Sequence, residues 1–171
     1  MALYVIDLST FQISVGDISG WRFKSQHYAL LNKDTIELGA EAKSKAKLYP
    51  TESFNAYWEN LSTEPINHSY QRHYVDLAYA HLLHLSERLR LEVRSDLLVI
   101  VPCHYDSTQI ALFLGIAKHT LFNVIGMIDA AVVAGMSATP TSNFFVYLDI
   151  QSQQAVATHV DINTKLSKGM V

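Results

Sequence analysis

The segment Leu97-Leu98-Val99-Ile100-Val101, ended by Pro102, constrains the fold more than any other part of the chain. A short, β-branched run without a polar side chain suits a strand covered on both faces, so other layers must lie above and below it. The neighbouring segments supply them. From Gln71 to about Val93 the apolar residues Tyr74, Leu77, Ala78, Leu82, Leu85 and Leu89 recur at three- and four-residue steps, which predicts one long amphipathic helix. Ser107 is placed to cap a second helix through Lys118, Phe122 to Ile128 predicts another strand, and Ala130 to Met136 a short helix rich in Ala and Val. Strand, helix, strand, helix in this order implies right-handed crossovers and parallel pairing.

The chain begins differently. Leu3 to Leu8 and Phe11 to Asp17 predict a hairpin, and Trp21 to Leu31 a third strand after the Ser19-Gly20 turn, all antiparallel to one another. The expected sheet is therefore mixed. A short helix is expected around Glu41 to Lys47, closed by Pro50, and a second from Thr51 as N-cap through Trp58. Glu59 to Tyr70 reads as a loop. Ala138 to Asn143 reads as a hinge, after which Phe144 to Ile150 and Ala155 to Ile162 form a fresh hairpin. That hairpin either pairs with the edge of the first domain or opens a second domain that this chain does not contain. The predicted division is 1–137, a hinge at 138–143, and the hairpin unit at 144–171.

Composition narrows the function. With 171 residues, 49% hydrophobic and 17% charged, the chain can bury one core. Its net charge of −3 argues against a nucleic-acid or anionic-membrane partner held by bulk electrostatics. Lys43, Lys45 and Lys47 follow Glu37 and Glu41 and read as a solvated helix face. A single cysteine, Cys103, excludes an internal disulfide and fits a reducing compartment; Met1 to Val5 leads straight into a strand, so a cytoplasmic protein is expected. The richest apolar run, Ile110 to Ile116, is too short to span a membrane. His81 and His84 lie three apart on the long helix, but with one cysteine and no His-x-x-x-His pair they read as structural. Adjacent side chains on a strand point to opposite faces, so Cys103 and His104 do not form a nucleophile–base pair. Tyr57, Trp58, Tyr70 and Tyr74 read as packing between a loop and the long helix.

Two distant stretches share one layout. Val5-Ile6-Asp7-Leu8-Ser9-Thr10 and Val146-Tyr147-Leu148-Asp149-Ile150-Gln151-Ser152-Gln153 each give an apolar strand, a carboxylate at its end, and a small or polar turn. A carboxylate beside backbone N–H groups is the equipment needed to hold a nucleotide phosphate and its magnesium ion.

These residues, in this order, resemble the actin-like ATPases, and among them the seventy-kilodalton heat-shock chaperones of the DnaK type. The opening stretch is similar to the family's first phosphate motif, Asp-Leu-Gly-Thr. Leu38-Gly39-Ala40-Glu41-Ala42-Lys43 followed by Pro50 and Phe54 resembles the chaperone Gly-x-x-Ala segment before Pro and Phe. Ile100-Val101-Pro102-Cys103-His104-Tyr105-Asp106 resembles Val-Pro-Ala-Tyr-Phe, and Val124 to Gly135 with Asp129-Ala130-Ala131 resembles the connecting Glu-Pro-x-Ala-Ala-Ala.

The resemblance implies an α/β, ribonuclease-H-like mixed sheet with helices on both faces, forming the first lobe, with the opening hairpin of the second. It implies ATP or ADP with Mg2+ in a cleft between lobes. Asp7 and Asp149 would be the metal-side carboxylates, and Asp7, Leu8, Ser9, Thr10, Gln151 and Ser152 would face the nucleotide. Asp129, with Asp149, would serve catalysis, Asp129 replacing the usual glutamate near the attacking water. For Asp129 the residues themselves favour a helix N-cap.

Three departures weaken the ATPase. Ser9 replaces a turn glycine, Gln151-Ser152-Gln153-Gln154 replaces Gly-Gly-Gly-Thr, and Tyr57 or Trp58 occupies the neighbourhood of the catalytic lysine. The expected function is nucleotide binding with weak or lost hydrolysis, in a chaperone-like or actin-like protein with an unidentified protein partner. A non-catalytic adaptor that kept the fold, and an unrelated small-molecule hydrolase, remain the alternatives. A homodimer through the C-terminal hairpin is the expectation if the chain is a fragment.

Overall fold

The computed structural model describes residues 2–8, 12–32, 35–67, 70–138, 143–150 and 155–161. In chain order its elements are β1 (Leu3–Asp7), β2 (Gln12–Asp17), β3 (Gly20–Gln26), β4 (Ala29–Asn32), β5 (Thr35–Leu38), α1 (Ala40–Lys45), β6 (Ser53–Phe54), β7 (Pro65–Asn67) and β8 (Tyr70–His73). They continue as α2 (Tyr74–Arg88), β9 (Ser95–Val101), α3 (Ser107–Ala117), β10 (Phe122–Asp129), α4 (Ala130–Ser137), β11 (Phe144–Ile150) and β12 (Ala155–Asp161).

The apolar run sits where its composition demands, inside a five-stranded sheet of order β10-β9-β1-β2-β3. β9 pairs in parallel with β1 (Ile6 opposite Val99) and with β10 (Met127 opposite Val99), while β1, β2 and β3 run antiparallel. This is the mixed, ribonuclease-H-like sheet that the sequence predicts. Along β9 burial alternates: Ser95, Leu97, Val99 and Val101 are buried, and the residues between them are half-buried. The buried set meets α2 and α3 through Leu77, Leu82, Leu85, Phe113 and Ala117, joined by Ile6, Ile13, Val15 and Phe122 in one core. α4 packs against β9, β10 and the β11–β12 hairpin. Gly126, beside the bulge in β10, lets that strand lie close to Leu98, whose side chain would stand 3.0 Å from an added Cβ.

Caps place the helices. Asp106 accepts from the Gln109 N–H at 2.8 Å while the Gln109 side chain accepts from the Asp106 N–H, a reciprocal box that starts α3 one residue before the expected Ser107. His73 and Asp76 do the same for α2.

Four expectations are corrected. Trp21 to Leu31 is two strands: β3 ends at Gln26, and after His27-Tyr28 the chain enters a second sheet of order β5-β4-β6. The stretch 51–58 is not a helix, because Ser53 and Phe54 pair with Leu30 and Ala29 and the following turns drive Tyr57 and Trp58 into the core. Within the loop expected at 59–70, Pro65–Asn67 pairs with Tyr70–His73. The long helix accordingly begins at Tyr74 and stops at Arg88, not Val93. The predicted hinge lies mostly outside the described residues. Among the described residues, no helix is long and apolar enough to cross a membrane.

Candidate functional site

The parallel strands β1, β9 and β10 all end on one side of the sheet, at Asp7, Val101 and Asp129, the edge where open α/β sheets gather ligands. The β11–β12 hairpin lies against this region. Phe145, Tyr147 and Asp149 alternate on its inner face, and Phe145 packs so closely on α4 that a Cβ on Gly135 would stand 2.7 Å from its ring. Close approach of the hairpin to α4 therefore requires glycine at 135.

Asp149 is the one carboxylate among the described residues that is fully buried, at 3% exposure. Around it, Tyr147 feels the charges of Asp149, Cys103, Asp7 and Asp129; burial first, then those groups in that order, raise its phenol above the ordinary value. The three acids that the sequence singled out, on a strand, at a helix cap and on the hairpin, thus come within electrostatic reach of one ring. Asp129 accepts from the Ala131 N–H at 2.7 Å as N-cap of α4 and from the Cys103 thiol at 3.3 Å. Cys103 also meets the Thr158 hydroxyl of the hairpin and the Ala131 N–H; burial is the main reason its thiol titrates above the usual value, so it is a weak nucleophile.

The other predicted residues divide. Leu8 is a core residue, 2% exposed, and its N–H bonds the Ile100 carbonyl at 3.0 Å, so that amide is spent on the sheet. Ser9, Thr10, Gln151 and Ser152 lie outside the described residues, as do both phosphate turns. Tyr57 and Trp58 leave the cleft edge entirely: both are buried against His81, with the Tyr57 hydroxyl 2.7 Å and the Trp58 Nε1 3.2 Å from His81 Nδ1. The His81 and His84 rings lie 6.4 Å apart, tilted by 51°, and among the described residues no group of three or more His, Cys, Asp or Glu is arranged to hold a metal.

Tyr147, Cys103 and Thr158 were not singled out from the sequence as parts of this site. The period-two alternation of a strand carried the signal for Tyr147, since it puts residues 147 and 149 on one face.

Magnesium takes one or two carboxylates and completes its shell with phosphate and water, and Asp7 and Asp149 are oxygen donors from two separate elements.

No family model matches the chain, and no curated protein does either. Among solved structures it is similar to MreB5 of Spiroplasma citri bound to ADP, with a TM-score of 0.72 and 14% identity over 94% of this chain and 48% of that one. It is also similar to a non-polymerising MamK mutant bound to AMPPNP, with a TM-score of 0.56 and 16% identity over 78% of this chain and 42% of that one. The chain spans about half the length of each. The likeness shows the fold, an actin-like lobe.

Proposed function

We propose that this chain is the nucleotide-facing first lobe of an actin-like protein, 1–137, joined through a hinge at 138–143 to the opening hairpin of a second lobe. ATP or ADP would lie against the carboxyl edge of β1 and β9, with Asp7 and Asp149 as the carboxylates on the magnesium side. The convergence of Asp7, Asp129 and Asp149 on Tyr147 carries this reading. Two solved structures of similar fold, one bound to ADP and one to AMPPNP, support it.

Bound magnesium would neutralise phosphate charge, which phosphoryl transfer needs more than a covalent nucleophile. The chain's own residues favour binding over turnover. Asp129 is occupied as an N-cap and by the Cys103 thiol. Tyr57, in the neighbourhood where the resemblance expects a lysine, points into the core rather than toward phosphate. Hydrolysis is therefore weak or lost. The closer chaperone likeness rests on the order of motifs in the sequence.

An adaptor role has its own support. The outer face of the hairpin exposes Phe144, Val146, Leu148 and Ile150 by 54 to 65%, a row of large apolar side chains that a protein partner could cover. Calorimetry with ADP and excess magnesium decides: the nucleotide reading expects heat that Asp7→Ala abolishes while the circular dichroism spectrum is kept. Absence of heat from ADP and ATP alike overturns it in favour of the adaptor.

A further inference from the structure

One end of the five-stranded sheet carries the carboxylates, and the other carries exposed hydrocarbon. The registers put its large apolar residues in a single row. Leu121 and Val93 come just before β10 and β9, and the Leu121 carbonyl accepts from the Ser95 N–H at 2.9 Å. Leu3 opens β1, where the Ala2 carbonyl accepts from the Asp96 N–H at 3.1 Å. The pairing of Val5 with Gly16 brings the β2–β3 turn and Ile18 to the level of Leu3, and Trp21 follows near the start of β3. All five are exposed, Ile18 by 99% and Val93 by 69%. Adjacent strands lie about 4.8 Å apart, so the row crosses the whole end of the sheet, roughly 20 Å. A lone exposed leucine is ordinary, but five large apolar side chains ranged along one end mark an interaction surface.

The most exposed of them is held out by a braced turn. Asp17 accepts from the Ser19 N–H at 2.8 Å and from Arg22 Nε at 2.7 Å, and Arg22 Nη2 donates to the Ser19 hydroxyl at 2.8 Å. Ile18 is thus presented with little ordering left to be lost on binding. Beside it the Trp21 indole lies across Gly16, where an added Cβ would stand 3.0 Å from the ring.

The charges around the row indicate what covers it. Arg22, Arg88, Arg90, Arg94 and Lys118 outnumber the acids at this end, Asp17, Glu87, Glu92 and Asp96. Two of those acids are already engaged, Asp17 with Arg22 and Asp96 with the Asn123 amide at 2.8 Å. The balance left over complements lipid phosphate. Apolar knobs set apart by charged residues suit a fluid surface, which closes around each of them, better than a rigid partner, which needs a matching hollow for each. We propose that this end of the sheet docks on the surface of a lipid bilayer. Ile18, Val93 and Leu121 would enter the acyl boundary, Trp21 would lie at headgroup level, and Arg22, Arg94 and Lys118 would reach lipid phosphates. The chain's net charge of −3 offers no long-range attraction, so insertion of the apolar row supplies most of the binding and the local cations add to it on anionic lipid. The carboxylate edge, at the opposite end of the strands, faces away from the bilayer, and the proposal does not depend on the nucleotide reading.

Flotation of the full chain with vesicles of phosphatidylcholine, and of phosphatidylcholine mixed with phosphatidylglycerol, tests this. The chain should float with both, and more strongly with the mixture. Trp21 and Trp58 are the two tryptophans and Trp58 is buried, so quenching of emission by bromine-labelled acyl chains should report Trp21. Ile18→Ser and Val93→Ser change exposed side chains and keep the circular dichroism spectrum; Ile18→Ser should weaken partitioning about tenfold and Val93→Ser severalfold. Val146→Ser, on the outer face of the hairpin, should leave it unchanged. Absence of flotation, flotation indifferent to Ile18→Ser and Val93→Ser, or loss only with Val146→Ser overturns the proposal. So does association of the chain with itself, without lipid, that Ile18→Ser abolishes, since the row then takes a second copy.

Discussion

His81 is a buried polar hub that joins three separate parts of the chain. It is fully buried, and its two nitrogens reach the Tyr57 hydroxyl at 2.7 Å, the Trp58 Nε1 at 3.2 Å and the Ser25 Oγ at 2.7 Å. The indole can only donate, so Nδ1 accepts, and Nε2 carries the proton and donates to Ser25. One imidazole thus ties the 55–59 turn, α2 and β3 together. His81→Phe keeps the ring but strands three buried partners; it should cost about 3–5 kcal/mol in urea unfolding. Gly39 supports the same network, since its φ of 69° favours glycine and an added Cβ would stand 2.8 Å from Ser25 Oγ. The sequence displayed Gly39 as part of a motif and His81 as a helix residue. The meeting of His81 with Ser25, 56 residues away and beside Gly39, was not legible, because hydrogen-bond partners distant in sequence leave no local pattern.

The same burial sets a pH dependence. Burial lowers His27 to about 4 and His81 well below the 6.5 of an unfolded histidine. Below 6.5 the unfolded chain therefore takes up protons that the folded chain refuses. Stability is complete above about pH 6.5 and falls as pH drops toward 4, by about 1.4 kcal/mol per unit for each histidine. Urea midpoints at pH 7.5 and 5.0 check this, and His81→Phe should flatten the decline.

Among elements, the parallel core was the most legible. Apolar periods of two and of three to four residues are properties of the segments themselves, and β9, β10, α3 and α4 follow them closely. The small sheet was not. The chain passes from the five-stranded sheet to β4 at His27-Tyr28 without a glycine or proline to mark the change. At 51–58 a good N-cap residue yielded to pairing with β4 and to the burial of Tyr57 and Trp58. The contact between α4 and the hairpin can be tested through Gly135. Gly135→Ala should favour the helix itself by up to about 1 kcal/mol, yet displace Phe145. Amides of β11 and β12 should then exchange faster while those of β9 keep their protection, which hydrogen exchange separates. If hairpin exchange is unchanged, the close approach of α4 does not hold the hairpin.

For the whole molecule, the candidate site was legible to the extent that a motif could carry it. Asp7, Asp129 and Asp149, named from motifs, are within electrostatic range of Tyr147, whereas Tyr147 and Cys103 had only strand alternation and position to signal them. Cys103 reports on the assembly, since it lies between the Thr158 hydroxyl of the hairpin and the cap of α4. Its alkylation at pH 8 should be slow in the intact chain and several-fold faster in Gly135→Ala. Equal rates would show that the hairpin does not shield the thiol.

Seating the ribbon takes one acid, Asp149, out of water while the hydrocarbon row on its opposite side stays wet. A ribbon that lifted would rehydrate the acid, so its seating is tied to whatever compensates that carboxylate, and a divalent cation that steadied the ribbon where a monovalent one did not would mark specific capture.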